Sequence, residues 1–77
     1  MQDKLRAFIV SEIMHDPEYP LQDDEPLISG GLIDSFSLVE LQIFIEQEFG
    51  KRIEDTDMTV DAIDCINDLV SLIKTYL

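Results

Sequence analysis

The sequence predicts an all-α domain: a small three- to four-helix bundle with a long ordered loop between its first and second helices. Three observations carry this. Apolar residues recur at helical spacing in three segments, no stretch of useful length alternates with period two, and the chain breakers collect in two places. Seventy-seven residues suffice for one hydrophobic core, so the expected organisation is a single domain over 1–77. Hydrophobic residues make up 45% of the chain, a composition that suits a globular protein and argues against disorder.

The first helix should run from about Gln2 to Met14, burying a stripe of Leu5, Phe8, Ile9 and Ile13. Pro17 and the polar pair before it end the helix, and His15 then sits at its C-terminus, where a basic group suits the dipole. The second should span about Ser35 to Phe49, with Asp34 or Ser35 as N-cap and Gly50 as the C′ residue. A short helical turn is expected around Glu54 to Met58. The last helix should start at Thr59 and continue to the C-terminus, with a stripe of Val60, Ile63, Ile66, Val70, Ile73 and Leu77.

Between the first two helices, Asp16 to Asp34 is a 19-residue connection holding all three prolines and two of the three glycines. Connections of that length inside compact domains are functional or tied down. Leu21, Leu27, Ile28, Leu32 and Ile33 supply apolar anchors, so the loop should hug the helices and deliver the chain to Ser35.

The charge is lopsided. Seventeen acidic against five basic side chains give a net charge of -12, and between Ala7 and Gly50 there are ten acidic residues and no Lys or Arg. Phosphate backbones and anionic membrane surfaces repel such a chain, so neither nucleic acid nor membrane is an expected partner; a basic protein surface is. No apolar run approaches a membrane span, and the N-terminus lacks signal-peptide order. Cys65 stands alone, which fits a reduced, cytoplasmic setting.

On a helical wheel Leu38, Leu41, Ile45 and Phe49 share the core sector of the second helix. Phe36 and Ile43 point nearly the opposite way, with Glu40 and Gln47 beside them and Val39 and Glu46 flanking. Periodicity leaves two readings open. Either the loop or the last helix covers this second face, or it is an exposed apolar stripe rimmed by carboxylates, the form of a partner contact surface.

Candidate chemistry is sparse. A serine just before a helix is ordinarily a cap, and a nucleophilic serine needs a base in reach. The sole histidine, His15, has no fixed relation to Ser35, and no phosphate-binding glycine loop or nucleophile elbow occurs. Cys65 falls in the middle of the expected last helix and reads as a small hydrophobe. Asp55, Asp57 and Thr59 begin like a calcium loop, but Val60 and Ile66 stand where Gly and Glu are required, so no metal is expected. Nothing here builds an active site.

One pattern is specific. Asp34-Ser35-Phe36-Ser37-Leu38-Val39-Glu40-Leu41, running on to Glu46-Gln47-Glu48-Phe49-Gly50, resembles the second helix of acyl carrier proteins. Asp24-Glu25-Pro26-Leu27 and Gly30-Gly31-Leu32-Ile33 upstream, and Ile53 and Thr59-Val60-Asp61-Ala62-Ile63 downstream, are similar to the same family, so the resemblance covers essentially the whole chain. It implies a non-catalytic carrier in which Ser35 accepts a 4′-phosphopantetheine arm from coenzyme A and holds an acyl or aminoacyl group as a thioester. The free N–H groups and positive dipole end expected at the second helix's N-terminus suit the arm's phosphate.

The resemblance further implies a partner-binding face made of Asp34, Phe36, Glu40, Ile43, Glu46 and Gln47. Its expected partners are a phosphopantetheinyl transferase, an acyl- or aminoacyl-loading enzyme, and downstream transferases or synthases acting on a monomeric carrier. Phe36 stands where the family usually has Leu or Met, Ser37 where an acidic residue is common, and the glycine is doubled. These departures point to a specialised biosynthetic pathway, and Met1 to a free-standing protein. The alternative is an unmodified acidic helical interaction module with Ser35 as a cap.

Overall fold

A computed structural model describes residues 1–77. The chain is all helical, in the order α1 (Gln2–Phe8), a π-helical turn (Ile9–Ile13), α2 (Ser37–Phe49), a 3₁₀ turn (Asp55–Asp57), α3 (Val60–Ile63) and α4 (Ile66–Tyr76). The long loop joins the π turn to α2, as the breakers require. None of the helices is long and apolar enough to cross a membrane.

Two of the expected helices depart from regularity. The first starts as predicted but widens after Phe8, where Met14 N–H donates to Ile9 C=O at 2.8 Å, five residues back. The wider turn buries the adjacent pair Ile9 and Val10, while Phe8 and Ile13 are only half-buried. Val10 lies outside the predicted stripe of Leu5, Phe8, Ile9 and Ile13, and in the structure it joins the core beside Ile9. His15 closes the segment in the left-handed region at φ 56°, the backbone conformation usual for a residue just past a helix end, and Asp16 N–H reaches Val10 C=O at 2.7 Å.

The last helix is two helices. Cys65 is extended (φ -147°, ψ 168°) and separates α3 from α4, so it caps α4 instead of lying within a helix. The loop provides the reason. Leu27 N–H donates to Asp64 C=O at 2.6 Å, and Asn67 N–H donates to Asp23 C=O at 3.0 Å, so backbone groups freed by the break bond the loop. Burial deprotonates Cys65 less readily: desolvation pushes its thiol pKa up.

The core draws on every helix, the π turn, the loop and the link. Leu5, Ile9 and Val10 meet Leu21, Leu27 and Ile33 from the loop, Leu41 and Ile45 from α2, Ile53 from the link, and Ile63, Ile66, Leu69, Val70 and Ile73 from α3 and α4. Of the predicted core residues, Leu38, Phe49 and Val60 are half-buried, and Leu77, the residue after α4, is 64% exposed. Phe8 stacks on Phe44 at 4.2 Å between ring centroids, and Phe44 meets Phe49 edge-on at 6.3 Å, closing one side of the α1–α2 contact.

Polar contacts pin the loop at two further points. Arg6 pairs with Asp23 and donates from Nε to Leu21 C=O at 3.1 Å. The Asp64 carboxylate accepts the N–H groups of Ile28 (2.9 Å) and Ser29 (3.0 Å) and the Ser29 hydroxyl. Immediately beyond, Gly30 packs so tightly on Pro26 that a Cβ there would stand 2.3 Å from the Pro26 carbonyl oxygen.

The bond from the Ser29 hydroxyl, followed by that from its N–H, holds the Asp64 carboxyl below the usual aspartate range. A depressed pKa contributes stability that is present in full above about pH 4 and is lost as pH falls through the folded-state value. Urea unfolding followed from pH 6 to pH 2.5 should therefore show a steeper acid loss for the wild type than for Asp64→Asn. Equal slopes would mean that the carboxylate does not hold the loop.

Candidate functional site

Ser35 stands where the pinned loop runs into α2, and it is exposed. The helix was expected to begin at Ser35; regular α-helix begins two residues later, at Ser37, after a tighter first turn. Capping falls to Asp34, whose Oδ1 accepts the Ser37 N–H at 3.1 Å and the Ser37 hydroxyl at 3.3 Å. Ser37 is buried and tied to Asp34, and Ser35 is left without a capping task.

This turn also corrects the expectation of free N–H groups. Those of Ser37, Leu38 and Val39 donate to the carbonyls of Asp34, Ser35 and Phe36 at 3.1, 3.3 and 3.3 Å. Only the N–H groups of Ser35 and Phe36 remain outside the backbone network, together with the helix dipole, and the Asp34 carboxylate opposes that dipole.

Two clefts flank the serine. One, of about 550 Å³, is of mixed character and bounded by the end of the π turn and the loop: Ile13, Ile28, Leu32 and Ile33 line it with Gly31, Asp34, Ser35 and Ser37. The other, of about 400 Å³, runs along α2, with Leu38, Val39, Gln42, Arg52, Asp55 and Met58 beside Ser35. His15 and Cys65 line neither.

The second face of α2 is open. Phe36 is 82% exposed, Val39 60% and Ile43 49%, and Glu40, Glu46 and Gln47 are exposed around them. Neither the loop nor the last helices cover this stripe, so of the two readings the wheel allowed, the structure has the uncovered one. Asp34 and Ser35 stand at its N-terminal end. Arg52 Nη1 lies 3.4 Å from Glu46, the one ion pair to a carboxylate of this face.

Sequence reasoning missed Gln42. It is buried, and its Nε2 donates to Ile53 C=O at 2.6 Å and to Asp55 Oδ1 at 2.7 Å, fixing the Lys51–Glu54 link against α2. Its wheel position at the edge of the core sector was the available signal. Asp57 accepts the Tyr76 hydroxyl, an interaction that holds the tyrosine pKa above its usual value, and Glu54 N–H donates to that same oxygen at 3.1 Å. The carboxylates that opened like a calcium loop are thus engaged by Gln42 and Tyr76.

Comparison with known proteins agrees with this geometry. The family model described as "Phosphopantetheine attachment site" matches residues 3–73. The chain belongs to the phosphopantetheine-binding carrier proteins. It is also 33% identical over 69 residues to the acyl carrier protein of Thermotoga maritima, an alignment covering 90% of this chain and 83% of that one. No solved structure gives a significant match. A carrier of this family is not an enzyme, and its cofactor is covalently attached 4′-phosphopantetheine.

The start of α2 fits such a group: an exposed hydroxyl, two uncommitted N–H groups and a cleft on each side. Stability and recognition should separate on the two faces of this helix. Leu41 is fully buried, so Leu41→Ala should cost about 2–5 kcal/mol. Ile43→Ala should stay within about 0.5 kcal/mol of wild type, since Ala's helix propensity offsets the half-burial lost. Paired thermal and urea unfolding checks both values; equal losses would place Ile43 in the core.

Proposed function

We propose that Ser35 carries the 4′-phosphopantetheine and that this single domain, 1–77, tethers an acyl or aminoacyl thioester for partner enzymes of a specialised biosynthetic pathway. The observation that supports this best is the exposed Ser35 hydroxyl in the Asp-Ser pattern, spared from capping because Asp34 performs it. When bound, the arm supplies a terminal thiol that holds a carboxylic acid as a thioester. The chain's own part is presentation. The pinned loop fixes Ser35 in space, and no side chain near it has the arrangement of a general base, so activation belongs to a partner.

The partner face in this reading is Asp34, Phe36, Glu40, Ile43, Glu46 and Gln47. A phosphopantetheinyl transferase, a loading enzyme and downstream transferases or synthases would each dock there in turn on a monomer. Phe36 and Ile43 supply the apolar centre and the carboxylates the rim that steers a basic surface. The setting is cytoplasmic, where the lone Cys65 stays reduced.

Expression with a broad-specificity transferase, followed by intact-mass and peptide analysis, tests the assignment. Wild type should gain one phosphopantetheine on the peptide containing Ser35. Ser35→Ala should fold with unchanged stability, having no cap to lose, and gain none. Modification surviving in that variant, or appearing at Ser29 or Ser37, overturns the site. Absence of modification with several transferases favours the unmodified interaction module.

A further inference from the structure

We propose that Arg52 makes this carrier selective for cargo bearing a free carboxylate, a reading that rests on Ser35 as the arm's attachment point. Five basic residues serve the whole chain, and Arg52 is the only one that lines a cleft shared with Ser35. The other cleft brings no cation to an anion: its lining is four apolar side chains, Gly31, the Asp34 carboxylate and two serines. An anionic acyl group on this chain of net charge -12 therefore meets repulsion in most directions and a guanidinium in one.

Arg52 is held and yet available. Its neighbour Ile53 is fully buried and its backbone carbonyl accepts Gln42 Nε2, so the Arg52 main chain is fixed against α2. Its side chain is 62% exposed and its contact to Glu46 is long, 3.4 Å between half-exposed groups, the kind of pair that contributes little. A planar guanidinium can exchange that single contact for a two-pronged grip on a carboxylate at small cost.

The reach is right. Glu46, which marks the level of Arg52 on α2, lies eleven residues beyond Ser35, about 16 Å along the axis at 1.5 Å per residue. A phosphopantetheine arm is as long as roughly five extended residues, about 17 Å. Laid along the α2 cleft, it brings its cargo end, not its phosphate, to Arg52. Asp55 is on the same wall, but Gln42 engages it, and Gln42 Nε2 is likewise committed.

The test uses the full chain loaded by a broad transferase from coenzyme A analogues whose succinyl or butyryl group is joined by an amide in place of the thioester. The two cargoes have the same carbon count and differ in the carboxylate. Peptide mass analysis first establishes the arm at Ser35; its absence there overturns the attachment reading, and this proposal with it. With the arm in place, the Arg52 Nε–H resonance should shift in the succinyl form and match the unloaded holo form in the butyryl form. Raising salt should reverse the shift.

Thermal melting should place the succinyl form above the butyryl form in wild type. That gap should vanish in Arg52→Gln, persist in part in Arg52→Lys, and be untouched by Lys51→Gln. A resonance that is unmoved by succinyl cargo, or moved equally by both cargoes, overturns carboxylate selectivity while leaving Ser35 as the attachment point.

Discussion

The interruption between α3 and α4 is the constraint on which the site depends. An unbroken last helix would satisfy its own backbone and offer the loop nothing. With Cys65 extended, Asp64 C=O and Asn67 N–H are released to Leu27 and Asp23, and the Asp64 side chain takes two further N–H groups. Each is a backbone group that would otherwise need water or go unpaired, so the loop and the break complete each other. From Asp64 the consequence passes along the chain: Ser29 is fixed, Gly30 closes on Pro26, Ile33 enters the core and Asp34 caps α2. Ser35 is positioned by what precedes it, not by contacts of its own.

Charge is the second constraint. A chain this acidic repels itself, and three of its five cations pair where elements meet. Lys4 joins α1 to α2 through Glu48, Arg6 joins α1 to the loop through Asp23, and Arg52 joins the link to α2 through Glu46. Individually such exposed pairs are weak. Their placement still matters, because each offsets repulsion at a seam while the carboxylates of Asp34 and Glu40 are left facing solvent without a cation on the exposed side of α2.

What the sequence made legible follows from which interactions are local. Helical spacing predicted three helical segments, and Gly50 could be assigned as the residue ending α2 because it alone there tolerates φ 74°. The Asp-Ser pattern and the double character of α2 were readable for the same reason: neighbours on one helix are fixed by sequence distance. The break at Cys65 and the widened turn at Ile9 were not readable. Both involve partners far along the chain: Leu27 and Asp23 bond the break, and Ile9 and Val10 at the widened turn pack into a core completed by the loop, α2 and the last two helices. Assigning the cap to Asp34 and not Ser35 likewise needed coordinates, since either side chain satisfies the local rule.

A carrier must be read by several enzymes in turn while staying folded, and α2 divides those demands by direction. Leu41 and Ile45 bury one side, Gln42 ties an edge to the link, and Phe36, Val39 and Ile43 are left outward. Exposing these apolar side chains forgoes part of the burial energy available to a chain this small, which needs all it can gather. The structure compensates in the loop, whose Leu21, Leu27 and Ile33 add core contacts that a shorter connection could not supply. The long loop is therefore not only the route to Ser35. It replaces the hydrophobic contacts that an outward-facing helix surrenders, and so lets one face of α2 remain free for partners.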